Sequence, residues 1–167
     1  MNADAELTAQ AVRLIDLCRR KKLKLATAES CTGGLIAAVI TSVPGSSDVF
    51  DSGFVTYSNA AKTAMIGVPA ELIIEAGAVS EDVARAMATG ALKHSRAGIA
   101  IAVTGVAGPG GGSTLKPVGL VHCAAASSAG ATLHQELRFG DIGRDAVRNQ
   151  TAAHALQMAY TLASTEP

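Results

Sequence analysis

The chain has 167 residues, 49% hydrophobic and 17% charged, which is enough apolar content for a packed core and excludes a disordered chain. Fourteen basic residues balance fourteen acidic ones and aromatic residues make up 3% with no Trp, so neither a positive duplex-binding field nor a stacking platform for single strands is expected. No apolar run nears the ~18 residues of a membrane span, and no basic segment runs into an apolar one at the start, so we expect a cytoplasmic single domain over residues 1–167, with no nucleic-acid or membrane partner.

Leu7, Ala11, Leu14, Ile15 and Cys18 recur at helical spacing and predict an amphipathic helix over 5–21. It ends in Arg19, Arg20, Lys21 and Lys22, with Lys24 beyond, a run that reads as a solvated cap on the negative dipole end or as a local anion contact. A short buried strand follows over 23–28. Next comes Thr27-Ala28-Glu29-Ser30-Cys31-Thr32-Gly33-Gly34, leading into an apolar stretch, so a helix should begin near Thr32 and stop before Pro44-Gly45-Ser46-Ser47. Residues 49–57 have strand composition, and short helices are predicted over 59–66 and 69–75. Ser80, followed by Glu81 and Asp82, caps a helix with Val83, Met87 and Ala91 on one stripe and an end near Ser95.

The nearly all-apolar run 99–103 suits a central strand covered on both faces. It opens into Thr104-Gly105-Val106-Ala107-Gly108-Pro109-Gly110-Gly111-Gly112-Ser113, a loop. Strands over 118–125 and 132–139, with a turn at 127–130, form an antiparallel pair. A last helix covers 144–162. This order predicts a three-layer α/β/α sandwich with a mixed, mainly parallel sheet. Ligands in such sheets gather at strand C-terminal ends, which puts Ser30 and the glycine loop on one rim.

A serine at a strand-to-helix turn reads either as an N-cap or as a nucleophile beside exposed backbone N–H groups. A nucleophile needs a base. His94, His122, His134 and His154 are scattered and each reads as a core or surface residue or, less simply, a triad member. Lys62, five residues after Tyr57, is the other candidate, and its alternative is an exposed helix lysine. An ordinary lysine is neutral in only about one molecule in 2,500 at pH 7, so a base at this position needs burial or nearby positive charge. The glycine loop lacks the Lys-Ser/Thr ending of a P-loop and reads as a plain connection or as a source of backbone amides. Arg144 and Arg148 open the last helix, where cations oppose the dipole, and so point to an acidic ligand or to surface ion pairs. Cys18, Cys31 and Cys123 show no zinc spacing and are expected to be free thiols, with Cys31 an alternative nucleophile.

Four ordered motifs resemble the CinA C-terminal-domain family, which includes nicotinamide-nucleotide amidases. They are Ala28-Glu29-Ser30-Cys31-Thr32-Gly33-Gly34, Pro44-Gly45-Ser46-Ser47, Val55-Thr56-Tyr57-Ser58-Asn59 with Lys62, and Gly105-Val106-Ala107-Gly108-Pro109-Gly110-Gly111. The resemblance implies a stand-alone amidase that converts nicotinamide mononucleotide to nicotinate mononucleotide and ammonia without metal or cofactor. It implies Ser30 as nucleophile, Lys62 as base and Tyr57 as a hydroxyl assisting proton transfer. Thr32, Gly33, Gly34, Thr104, Gly105, Gly108, Gly110 and Arg144 are the expected substrate-binding set, and a homodimer is the expected assembly. The family's compact Gly-Asp-Arg reads here as Gly140-Asp141-Ile142-Gly143-Arg144, two residues longer. A non-catalytic nucleotide- or protein-binding module linked to competence or DNA damage is the competing expectation.

Overall fold

The computed structural model describes the backbone of residues 3–167 and side chains from residue 5 onward. Five strands form one sheet in the order β2-β1-β3-β4-β5: β1 (Leu25–Glu29), β2 (Phe50–Val55), β3 (Ile99–Gly105), β4 (Leu120–Ser127) and β5 (Thr132–Arg138). β1 runs parallel to β2 and β3, whereas β4 and β5 are antiparallel additions. Helices α1 (Ala3–Lys21), α2 (Leu35–Thr41) and α6 (Arg144–Thr165) cover one face. The other face carries α3 (Asn59–Ile66), α4 (Ala70–Ala76) and α5 (Glu81–Lys93). The three-layer α/β/α architecture with a mixed sheet is therefore present as expected.

Alternation along the strands divides the core. Ile99, Ile101 and Val103 of β3 join the cluster under α1, α2 and α6, while Ala100 and Ala102 join the cluster under α5. β4 repeats the pattern, with Val121 and Cys123 on the first side and Ala124 and Ala126 on the second. Alanines on the sheet meet Ala84, Ala88 and Ala91 of α5, and such small side chains let the helix lie close to the sheet. α3 is drawn in by a similar economy of size: a Cβ at Gly90 would sit 2.0 Å from the Ile66 carbonyl oxygen, so only glycine lets α5 touch the end of α3 there.

The chain leaves β1 through α2 on one face and returns from β2 through α3, α4 and α5 on the other. A crevice opens at the carboxyl ends of adjacent parallel strands where connections diverge in this way. One expected boundary is corrected. The helix after Ser30 begins at Leu35, not near Thr32, because Gly33 (φ 59°) and Gly34 (φ 98°) are in left-handed conformations that an α-helix does not admit.

Candidate active site

The turn after β1 brings Ser30 to the crevice. Its amide donates to the Val103 carbonyl of β3 at 3.1 Å, so the residue is tied to the sheet as it leaves it. On the other side of the crevice, the Ser58 hydroxyl accepts the Ala61 N–H at 3.0 Å and starts α3, whose first turn carries Lys62. The Lys62 ammonium nitrogen lies 3.1 Å from Ser30 Oγ and 2.9 Å from the Thr56 carbonyl oxygen, to which it donates.

Lys62 is only 1% exposed, and no carboxylate pairs with it among the described residues. Burial holds its pKa below the ordinary lysine value, against a smaller opposing influence from the Cys31 thiol. Placement in the first turn of α3 works in the same direction, since that end of a helix disfavours a cation. Burial pushes the adjacent Cys31 thiol up to about 11, so at neutral pH it is not a thiolate. A serine next to a desolvated, uncompensated lysine is an arrangement suited to proton abstraction from the hydroxyl.

Ser30, Cys31 and Lys62 lie in a cavity of about 310 Å³, within the range of small-molecule sites. Tyr57, Asn59, Thr104, Gly105, Gly108, Gly110 and Arg144 also line it. Besides Lys62, the lining holds one permanent cation, Arg144, and no carboxylate, which favours an anionic ligand. Arg144 is held across the mouth, donating to the Gly108 carbonyl at 2.8 Å and to the Tyr57 hydroxyl at 3.0 Å. The Thr104 hydroxyl donates to the Ala78 carbonyl at 2.7 Å, fixing the wall between β3 and the turn before α5.

A family model described as the CinA C-terminal domain matches residues 7–163. The chain belongs to that family. It is 49% identical over 158 residues to the nicotinamide-nucleotide amidohydrolase PncC of Escherichia coli (strain K12), covering 94% of this chain and 94% of that one. A CinA-like protein of Geobacter sulfurreducens is 55% identical over 140 residues, 84% of this chain. The chain spans only 33% of that relative's length, and 38% of a longer relative from Symbiobacterium thermophilum. The crystal structure of the competence/damage inducible protein CihA from Agrobacterium tumefaciens superposes with a TM-score of 0.93 at 52% identity, covering 94% of this chain and 95% of that one.

In this CinA C-terminal domain, the binding residues expected from sequence divide in two. Thr104, Gly105, Gly108, Gly110 and Arg144 border the cavity with Ser30, Lys62 and Tyr57. Thr32, Gly33 and Gly34 are not among its lining residues. The Thr32 side chain is buried against Glu29, to which its hydroxyl donates at 2.7 Å. The Gly33 amide donates to the Ser30 carbonyl at 3.0 Å and the Gly34 amide to Glu29 at 3.1 Å, so neither is free for a ligand. The intervening amides of Cys31 and Thr32 donate to neither of these acceptors.

Arg148 also turns away from the cavity, donating to the Thr32 carbonyl at 2.9 Å. None of the four histidines lines the cavity. Sequence reasoning assigned no role to Asn59, Ala78 and Val79, which do line it. Asn59 closes the motif at 55–59, whereas small apolar residues in a turn such as Ala78 and Val79 carry no local signal.

Proposed function

We propose that this chain hydrolyses the carboxamide of nicotinamide mononucleotide, giving nicotinate mononucleotide and ammonia, with Ser30 as nucleophile and Lys62 as base. The observation that carries the reading is the buried 3.1 Å contact between Ser30 Oγ and a Lys62 that has no counter-charge. The substrate is supported by the nearly co-extensive Escherichia coli relative and by a carboxylate-free cavity lining that carries the Arg144 guanidinium.

Neutral Lys62 takes the Ser30 proton as Oγ attacks the carboxamide carbon. The oxyanion is received by the Cys31 amide, the one in the turn that borders the cavity and is not committed to Ser30 or Glu29. Protonated Lys62 returns the proton to the departing nitrogen, ammonia leaves, and an acyl-enzyme remains. Water, deprotonated by Lys62, then attacks the acyl carbon; the bond to Ser30 Oγ breaks, Lys62 returns the proton to Oγ, and the carboxylate product is released. Arg144 binds the substrate phosphate, with Gly108 and Gly110 letting the ligand approach the backbone. Drawing Arg144 onto phosphate frees the Tyr57 hydroxyl, which then assists proton transfer at the leaving group. The chain acts as a single cytoplasmic domain that pairs as a homodimer.

The test is ammonia release from nicotinamide mononucleotide by wild type, Ser30→Ala, Lys62→Ala and Cys31→Ala. Loss of Ser30 or Lys62 is expected to reduce turnover by about 10³-fold or more, in the range of nucleophile and general-base removals, while Cys31→Ala retains it. Full activity in Ser30→Ala would sink the mechanism. A wild-type protein that binds the nucleotide without releasing ammonia would establish the binding-module reading instead.

A further inference from the structure

We infer that Glu29 is the positioning residue of the nucleophile turn: its carboxylate fills the N-terminus of α2 and thereby decides which backbone amides remain for the oxyanion. The inference rests on Ser30 being the nucleophile. Glu29 is the last residue of β1 and only 1% exposed, and it forms no ion pair among the described residues. A buried carboxylate without a counter-ion has to be held by hydrogen bonds. Its Oε2 accepts from the Thr32 hydroxyl at 2.7 Å, the Gly34 amide at 3.1 Å and the Ile36 amide at 3.0 Å, and its Oε1 accepts from the Ala37 amide at 2.8 Å.

These donors run from Thr32 before the two left-handed glycines, through Gly34, to Ile36 and Ala37 beyond them, so the carboxylate closes the chain from Ser30 to Ala37 back onto the residue before Ser30. No side chain caps α2 from the usual position, which is Gly34, and Glu29 supplies the cap instead. An anion is what a helix N-terminus attracts, and here the protein provides its own. A substrate oxygen is thereby denied the amides of Gly34, Ile36 and Ala37. The Cys31 amide is left at the cavity, in a turn further pinned by the Gly33 amide on the Ser30 carbonyl and by Arg148 on the Thr32 carbonyl. Glutamine cannot replace this function fully, because its NH2 group would face an N–H donor where Glu29 presents an acceptor.

The experiment measures kcat, KM and the pH–rate profile for ammonia release from nicotinamide mononucleotide by wild type, Glu29→Gln, Thr32→Val and Ser30→Ala, with thermal melts to verify folding. We expect kcat of Glu29→Gln to fall by about 100-fold, the loss typical of a nucleophile displaced by roughly 1 Å, with KM nearly unchanged and the acid limb of the profile unmoved. Thr32→Val removes one of the four bonds and should show a smaller loss of the same kind. A folded Glu29→Gln with wild-type kcat, or with its loss confined to KM, overturns the inference. So does a shifted acid limb, which would make Glu29 an electrostatic partner of Lys62. If Glu29→Gln does not fold, Thr32→Val decides, and wild-type kcat in that variant overturns the inference. An active Ser30→Ala would sink the nucleophile assignment itself, whereas an inactive Ser30→Ala beside an unimpaired Glu29→Gln removes only the role of Glu29.

Discussion

Lys62 is a costly residue to bury, and the cost falls on its charged form. With burial as the main cause of its lowered pKa and no carboxylate to offset it, the neutral amine gains population at lower pH than in free lysine. Because the neutral form is the active one, kcat/KM should rise with pH along an acid limb whose midpoint lies below 10.5, the ordinary lysine value. Lys62→Arg should abolish that limb together with activity, since guanidinium does not deprotonate in this range. Steady-state rates across pH check both. Arg144 differs in kind: its partners are a carbonyl and a phenol hydroxyl, so a ligand phosphate outbids them without breaking an ion pair. Arg144→Ala should raise KM for nicotinamide mononucleotide by about 10- to 100-fold, the worth of a charged hydrogen bond, with much less effect on the phosphate-free riboside. Tyr57→Phe should instead lower kcat, by about 10-fold or more as for other proton-transfer groups, and kinetics on the two substrates separate these effects.

Among the elements, α2 and α5 show how backbone shape was harder to read than side-chain pattern. The apolar run from Leu35 and the stop at Pro44 were legible, and α2 ends where composition says it should. Its start was not, because Gly33 and Gly34 carry no sign of which hand they adopt, and Glu29 caps the helix from an adjacent strand rather than from the cap position. Gly33→Ala tests the point: an added Cβ meets no atom closer than 3.9 Å, so the cost is the left-handed backbone alone, about 1–2 kcal/mol by thermal or denaturant unfolding. Gly90→Ala tests the opposite case. The new methyl would collide with the Ile66 carbonyl, which cannot rotate away, and overpacking of this kind costs about 1–3 kcal/mol on the same measurement while also loosening the seating of α3 and Lys62.

Across the whole molecule, the sheet brings ionisable groups of β4 and β5 against α5. His122 of β4 and His134 of β5 stack with ring centroids 5.3 Å apart, and His122 Nδ1 lies 3.0 Å from His134 Nε2. Glu136 and Glu81 approach them at 4.0 and 3.5 Å, with Arg85 and Lys116 nearby, yet both pKa values stay below 6.5. Burial is the largest cause for both, and for His122 the neighbouring His134 comes next. The unfolded chain therefore binds more protons than the folded one as pH falls through 6.5, so this pair's contribution is whole above that value and declines below it. Melting temperatures should drop between pH 8 and pH 5.5, and His134→Gln should shrink the drop. The amino-acid sequence by itself determined the order of helices and strands, the two-sided core and the pairing of Ser30 with Lys62 as candidates, because periodicity, turn residues and ordered motifs are local properties of the chain. Only the tertiary structure decided that Lys62 is buried and uncompensated beside Ser30, that Arg144 spans the cavity mouth to Tyr57, and that Glu29 occupies the end of α2. Each of those depends on which atoms from distant segments share one desolvated space, and no local pattern records that.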